Sequence, residues 1–149
     1  MWSVWNVAKI NSKKVVIDGY EFDSLTEGEF YKHLKSRDDV KEIKVHPTYT
    51  LLEQFSILCG RCKLGKVPSP KTGKLIKCKR CEGTGKIYRQ PWTYTPDFKV
   101  TWKDGFSSFY DVKGGFKDAK FNYVKKMFES NFYQELLVVK QVKGEWKYM

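Results

Sequence analysis

The chain has 149 residues, 41% hydrophobic and 16% aromatic, with 28 lysines and arginines against 17 acids for a formal net charge of +11. That apolar content excludes a disordered chain, and no run approaches the roughly 18 apolar residues of a membrane-spanning helix, so a soluble globular protein is expected. The length suits one domain over residues 1–149 carrying an insertion, and the basic balance points to a polyanionic partner.

Met1 to Ile10 contains neither a basic segment leading into an apolar stretch nor a small-residue cleavage site, so no secretory signal and a cytoplasmic location are expected. Next, Val15-Val16-Ile17 and Tyr20-Glu21-Phe22 flank Asp18-Gly19, the commonest two-residue turn signal, which predicts a hairpin. A helix follows with Ser24 as its cap. Phe30, Tyr31 and Leu34 lie three, four and seven residues beyond Glu27, so Glu27 shares the inward stripe while Glu29 points elsewhere. A capping box between Ser24 and Glu27 is the alternative use of the glutamate. Lys41 to Phe55, rich in β-branched and aromatic residues, predicts one or two strands with Pro47 at an edge or a strand start. His33 and His46 read as a solvent-side helix residue and a strand residue, neither assigned to a metal.

Residues 58–89 form the expected insertion. Cys59, Cys62, Cys78 and Cys81 spell C-x2-C, fifteen residues, C-x2-C, the spacing of a tetrahedral zinc site closed by two knuckles. Disulfides or a redox pair are disfavoured because no thioredoxin-like strand and helix surround the pairs. From Cys59 to Arg89 there are ten basic residues against the single acid Glu82, so nearly all the excess charge sits here. Pro68 to Gly73 reads as a loop between knuckles. The bland role for this module is a structural staple; the sharper one is a DNA clamp with Arg61, Lys63, Lys66, Lys77, Lys79, Arg80 and Lys86 on phosphates.

Thr93 to Trp102 and Phe106 to Lys113 predict an antiparallel hairpin turning at Lys103-Asp104-Gly105. With a three-residue loop Trp102 pairs with Phe106, and counting back sets Asp97 across from Asp111. One face then carries Phe98, Val100, Trp102, Phe106, Tyr110 and Val112, the other Asp97, Lys99, Thr101, Ser107, Asp111 and Lys113. A two-residue turn would put Asp111 and Lys113 among buried aromatics, so the pattern selects the longer loop. Trp92 and Tyr94 serve either to stack on an unpaired base or to enter the core. Gly114-Gly115 ends the strand. Asp118 to Phe132 predicts a helix with Phe121, Val124 and Phe128 inward and Lys117, Lys120, Lys125 and Lys126 toward solvent, and Glu135 to Val142 a last strand before a short tail. The expected class is α/β, a mixed sheet flanked by helices with a small zinc-knuckle insertion.

Two acids facing each other repel unless something cationic lies between them. Asp97 and Asp111 are therefore candidate ligands of a magnesium or manganese ion, with Glu27 as a further ligand and the Val112 carbonyl as a neutral one. Lys113, two residues past Asp111, is placed to orient a water or stabilise negative charge. Such a set suits phosphodiester hydrolysis.

Pro96-Asp97, a spacer, Asp111-x-Lys113 and the preceding Glu27 resemble the PD-(D/E)xK nuclease superfamily. Ser24-x-x-Glu27, Tyr94-Thr95-Pro96-Asp97-Phe98 and Asp111-Val112-Lys113-Gly114 are similar to phage-type endonuclease I, the Holliday junction resolvases, and to small phage proteins of that superfamily. The resemblance covers roughly Val15 to Phe132 outside the insertion, which departs from the simple resolvase pattern, and Asp111 stands where many relatives have glutamate. It implies a restriction-endonuclease-like fold, Glu27, Asp97, Asp111 and Lys113 as catalytic residues, and a homodimer acting on branched or junction DNA in phage or mobile-element recombination, in the bacterial host cytoplasm if phage-encoded. Cys78-Lys79-Arg80-Cys81-Glu82-Gly83-Thr84-Gly85 also resembles the C-x-x-C-x-G-x-G zinc repeat of DnaJ-type chaperones, a pattern complete only in this second knuckle. A transposon-end or restriction-type endonuclease, and a noncatalytic zinc adaptor that binds nucleic acid, are the other readings.

Overall fold

The computed structural model describes residues 13–114 and 118–149. In chain order the first elements are β1 (Val15–Ile17), β2 (Tyr20–Phe22), α1 (Leu25–Lys35), β3 (Val40–Val45), β4 (Tyr49–Leu52) and β5 (Phe55–Leu58). Then come β6 (Lys66–Pro68), β7 (Leu75–Lys77), β8 (Lys86–Arg89), β9 (Trp92–Tyr94), β10 (Phe98–Trp102) and β11 (Ser107–Val112). The chain closes with α2 (Ala119–Phe132), β12 (Leu136–Val142) and β13 (Glu145–Tyr148). Gly115 and Lys117, with the readings made of them, lie outside the described residues, as do the first twelve residues.

The chain divides into two compact units, one reaching to Thr48 and resuming at Thr95, the other Tyr49–Tyr94. The second unit is wider than the expected 58–89 insertion because β4 and β5 pair with β9 and β8 in an antiparallel ribbon instead of joining the main sheet. For the same reason Thr93 and Tyr94 do not continue the hairpin. Pro96, which has no N–H to give a ladder, is buried at the break before β10.

In the first unit a five-stranded mixed sheet has the order β13-β12-β11-β10-β3. Only β11 and β12 run parallel, across the α2 connection. The β10–β11 register is the expected one, with Phe98 opposite Tyr110 and Thr101 opposite Ser107, and Trp102 N donates to Phe106 O at 2.8 Å. Phe98, Val100, Tyr110 and Val112 form the core with Phe22, Phe30, Tyr31 and Leu34.

Two assignments in that hairpin are corrected. Phe106 is 73% exposed, because it stands at the turn beyond the reach of α1. The polar face is not wholly polar: Phe109 is buried on it, edge to face with Phe128 and beside Phe132 of α2. The sheet is thus covered on both faces. Within α2, Val124 and Phe128 are buried as expected, and Lys125 is turned to Glu129 at 3.2 Å rather than free in solvent. The tail is a strand, for Lys143 and Gly144 take left-handed backbone and fold β13 back on β12.

The small hairpin locks α1 in place. Asp18 and Gly19 both have positive φ, as a type I′ turn requires, and the Asp18 carboxylate accepts from Tyr31 Oη at 3.0 Å and Lys35 Nζ at 2.5 Å. A Cβ on Gly28 would lie 2.8 Å from Val15 Cγ1, so the helix approaches β1 as closely as glycine permits. The neighbouring residue is Glu27. No helix among the described residues is long and apolar enough to cross a membrane.

Candidate metal centres

The first cluster lies where three strands of the main sheet end or begin together. Beyond the paired residues Val45, Phe98 and Tyr110, the next row is His46, Asp97 and Asp111. His46 N donates to Asp97 O at 3.0 Å, extending the β3–β10 ladder by one bond. From α1, Glu27 reaches this row because Ser24 caps the helix, accepting from Glu27 N at 3.2 Å, and turns the stripe of Glu27, Phe30, Tyr31 and Leu34 inward. Glu27 and Asp111 are the buried charged residues of the described chain.

Asp97, Asp111 and Lys113 of the expected site are linked in series, while Glu27 joins them by way of Asp97, in a close group with His46 that does not include Asp111. Val112 N donates to Asp97 Oδ2 at 2.7 Å, and the Asp111 carboxylate lies close enough to Asp97 to act directly on its charge. Lys113 Nζ is 2.9 Å from Asp111 Oδ2 and also lies 4.3 Å from the centre of the Phe121 ring. The two aspartates therefore face one another as the register required. Val112 meets the site through its N–H.

Burial, then the neighbouring charges of Asp111 and Glu27, push the Asp97 carboxyl up to about 9, against the Val112 N–H which favours its anion. Burial also raises Glu27, an effect reduced by His46. A backbone N–H at Asp23, one residue before the cap, also favours the Glu27 anion, which is not the Ser24 N–H that a capping box would use. Like charges confined in a place poor in water are held neutral by a shared proton, or together by a cation.

His46 was missed by sequence reasoning. Its Nε2 is 3.4 Å from Glu27 Oε2, and one ligand atom from each of Glu27, His46 and Asp97 lies within 4.8 Å of the other two. Three oxygen or nitrogen donors so close, two of them carboxylates, fit a divalent cation of the harder kind. His33, in contrast, is half-buried beside Phe30 and Trp146 and away from any such group.

The second cluster is in the other unit. Cys59, Cys62, Cys78 and Cys81 are unpaired thiols with Sγ atoms all within 4.8 Å of one another. The knuckles interlock reciprocally: Cys59 N donates to Gly85 O and Cys78 N to Gly65 O, each at 2.8 Å. Cys62 and Cys81 Sγ are 3.7 Å apart, close to the ~3.8 Å that a tetrahedron with ~2.3 Å metal–sulfur bonds demands and far from a disulfide. Burial works to raise the Cys81 thiol, yet the N–H groups of Gly85 and Gly83 and the adjoining thiols bring it below its ordinary value. Arg61, Lys63, Lys66, Lys77, Lys79, Arg80 and Lys86 are all exposed on this unit, and Trp92 and Tyr94 are not buried.

A family model, described as a protein of unknown function (DUF1064), matches residues 7–148. The chain belongs to the DUF1064 family. No curated protein and no solved structure matches significantly. What this DUF1064 chain offers is thus a mixed α/β unit with a carboxylate, imidazole and lysine cluster, and a tetracysteine unit able to take a metal ion.

Proposed function

We propose that the chain is a metal-dependent endodeoxyribonuclease selective for branched DNA, such as a Holliday junction, and working as a homodimer. The observation that carries this reading is that Glu27 and Asp97 bring ligand atoms within 4.8 Å of each other at one end of the sheet, with Asp111 beside Asp97 and Lys113 Nζ 2.9 Å from Asp111 Oδ2. Separate motifs that arise by chance have no reason to converge.

Glu27, Asp97 and Asp111 would hold magnesium or manganese, with the Val112 carbonyl as a neutral ligand and the Val112 N–H fixing the Asp97 carboxyl. Such a cation supplies charge neutralisation at a phosphodiester and lowers the pKa of a bound water. Lys113 is one-third exposed at its side chain, so its ammonium is available to a phosphate oxygen on which negative charge develops. The four cysteines would hold zinc as a structural ion. A restriction-endonuclease-like arrangement is supported by the mixed sheet with a helix on each face.

Four-way junction, flap and linear duplex substrates, each with magnesium, manganese or chelator, test the reading. Metal-dependent cutting that favours the junction is expected, and Asp97→Asn should bind DNA without cutting it. Equal cutting of all three substrates would remove the junction claim and leave the chemistry. The second reading, a noncatalytic zinc adaptor, is favoured by the exposed basic residues of the tetracysteine unit. Binding with no cleavage under any metal would establish it.

A further inference from the structure

We propose that His46 is itself a ligand of the cation held by Glu27 and Asp97, and that its nitrogen makes the site prefer manganese to magnesium. The inference rests on the reading that this cluster takes a divalent cation. Its starting point is backbone geometry. His46 has φ +51° immediately after β3, an unusual conformation for a residue with a side chain, and is held in it by the bond from its N–H to Asp97 O. The ring stands edge-on to Phe22 at 6.0 Å, which limits its freedom.

The Nε2–Glu27 separation of 3.4 Å is longer than the ~2.7–2.9 Å of a strong charged hydrogen bond, so the pair is not closed upon itself. The ligand atoms of Glu27, His46 and Asp97 nevertheless remain within 4.8 Å of one another, and the His46 side chain is 31% exposed, leaving a route for an ion. Magnesium favours an all-oxygen shell. Imidazole suits the later transition ions best, and manganese, though at home among oxygens, accepts a nitrogen more readily than magnesium does, so a fixed ring nitrogen among carboxylates tilts selection away from magnesium.

The test uses the full chain with its cysteine cluster loaded with zinc, titrated with manganese and with magnesium, unaltered and as His46→Gln and His46→Ala. Pulsed electron paramagnetic resonance of bound manganese should show coupling to one imidazole nitrogen in the unaltered protein and none in the variants. Manganese affinity should fall about 10- to 100-fold, the range that even outer-shell losses produce, with magnesium affinity little changed. Bound manganese without nitrogen coupling, or an equal loss for both ions, would overturn the inference. So would coupling that survives in the variants, since His33 is the chain's other histidine. Should the variants fail to fold, the spectrum of the unaltered protein decides. DNA cleavage is measured apart: nitrogen coupling without any nuclease activity keeps the ligand and removes the function, and cleavage by a protein without coupling does the reverse.

Discussion

At the residue scale, Asp97 couples chemistry to stability. Without metal its carboxyl keeps a proton up to about 9, whereas the unfolded chain releases it near the ordinary 3.8. Below that lower value both states are protonated and the residue contributes nothing to the pH dependence. Between the two values the unfolded state has lost the proton that the folded state keeps, so metal-free stability falls as pH rises through this window and levels off above it. Asp97→Asn keeps an acceptor for Val112 N–H and a donor for Asp111 and cannot ionise. Thermal melting without metal should therefore show the variant more stable than the parent at pH 8, with a flatter pH profile; a less stable variant would count against the crowded-carboxylate account. For Lys113, whose ammonium is held by Asp111 and the Phe121 ring, replacement by alanine should lower kcat about 10²–10³-fold with DNA affinity nearly kept. A change confined to KM would make it a binding residue. The acids and the lysine were legible in the sequence because their chemistry travels with their spacing. His46 was not, since its place is set by a left-handed residue at a strand end, which no periodicity reveals.

At the scale of elements, the β10–β11 register followed from the turn and from the alternation of Phe98 and Val100 with polar neighbours, since a slip of one residue exchanges the faces. The burial of Phe109 could not be read that way, because it depends on α2 returning over a face that looks polar along the strand alone. Nor could the tail strand, which depends on Lys143-Gly144 turning tightly. The knuckles depend on Gly65, at φ +86°, where an added Cβ would stand 2.1 Å from Gly83 O. That neighbour is backbone and has no rotamer to yield. Gly65→Ala should abolish zinc binding by the four cysteines, measured as bound metal per chain, with the circular dichroism of the main sheet retained. A variant that still binds one zinc per chain would refute the interlocked arrangement.

For the whole molecule, the chain divides into two units, one with the carboxylate cluster and the other with the four cysteines. The tetracysteine unit holds a dense set of exposed basic residues, so the DNA affinity proposed for it should be insensitive to sequence and weaken steeply with salt. Replacing Lys79 and Arg80 with glutamine should reduce the slope of log affinity against log salt by roughly 0.9 for each phosphate that is no longer neutralised. An unchanged slope would leave the unit as a structural module alone. Removing zinc with a chelator should melt this unit while the five-stranded sheet keeps its own transition, because the sheet's core of Phe22, Phe30, Phe98 and Val100 is built without it.

The claim on which the account turns is that Glu27, Asp97 and Asp111 surround one divalent cation. Anomalous diffraction from crystals of the chain grown with manganese tests it most directly. A peak within coordination distance of all three carboxylates, lost in Asp97→Asn, is the predicted result; manganese bound only elsewhere, with Lys113 and the three acids closed on one another as an ion-pair network, would contradict it.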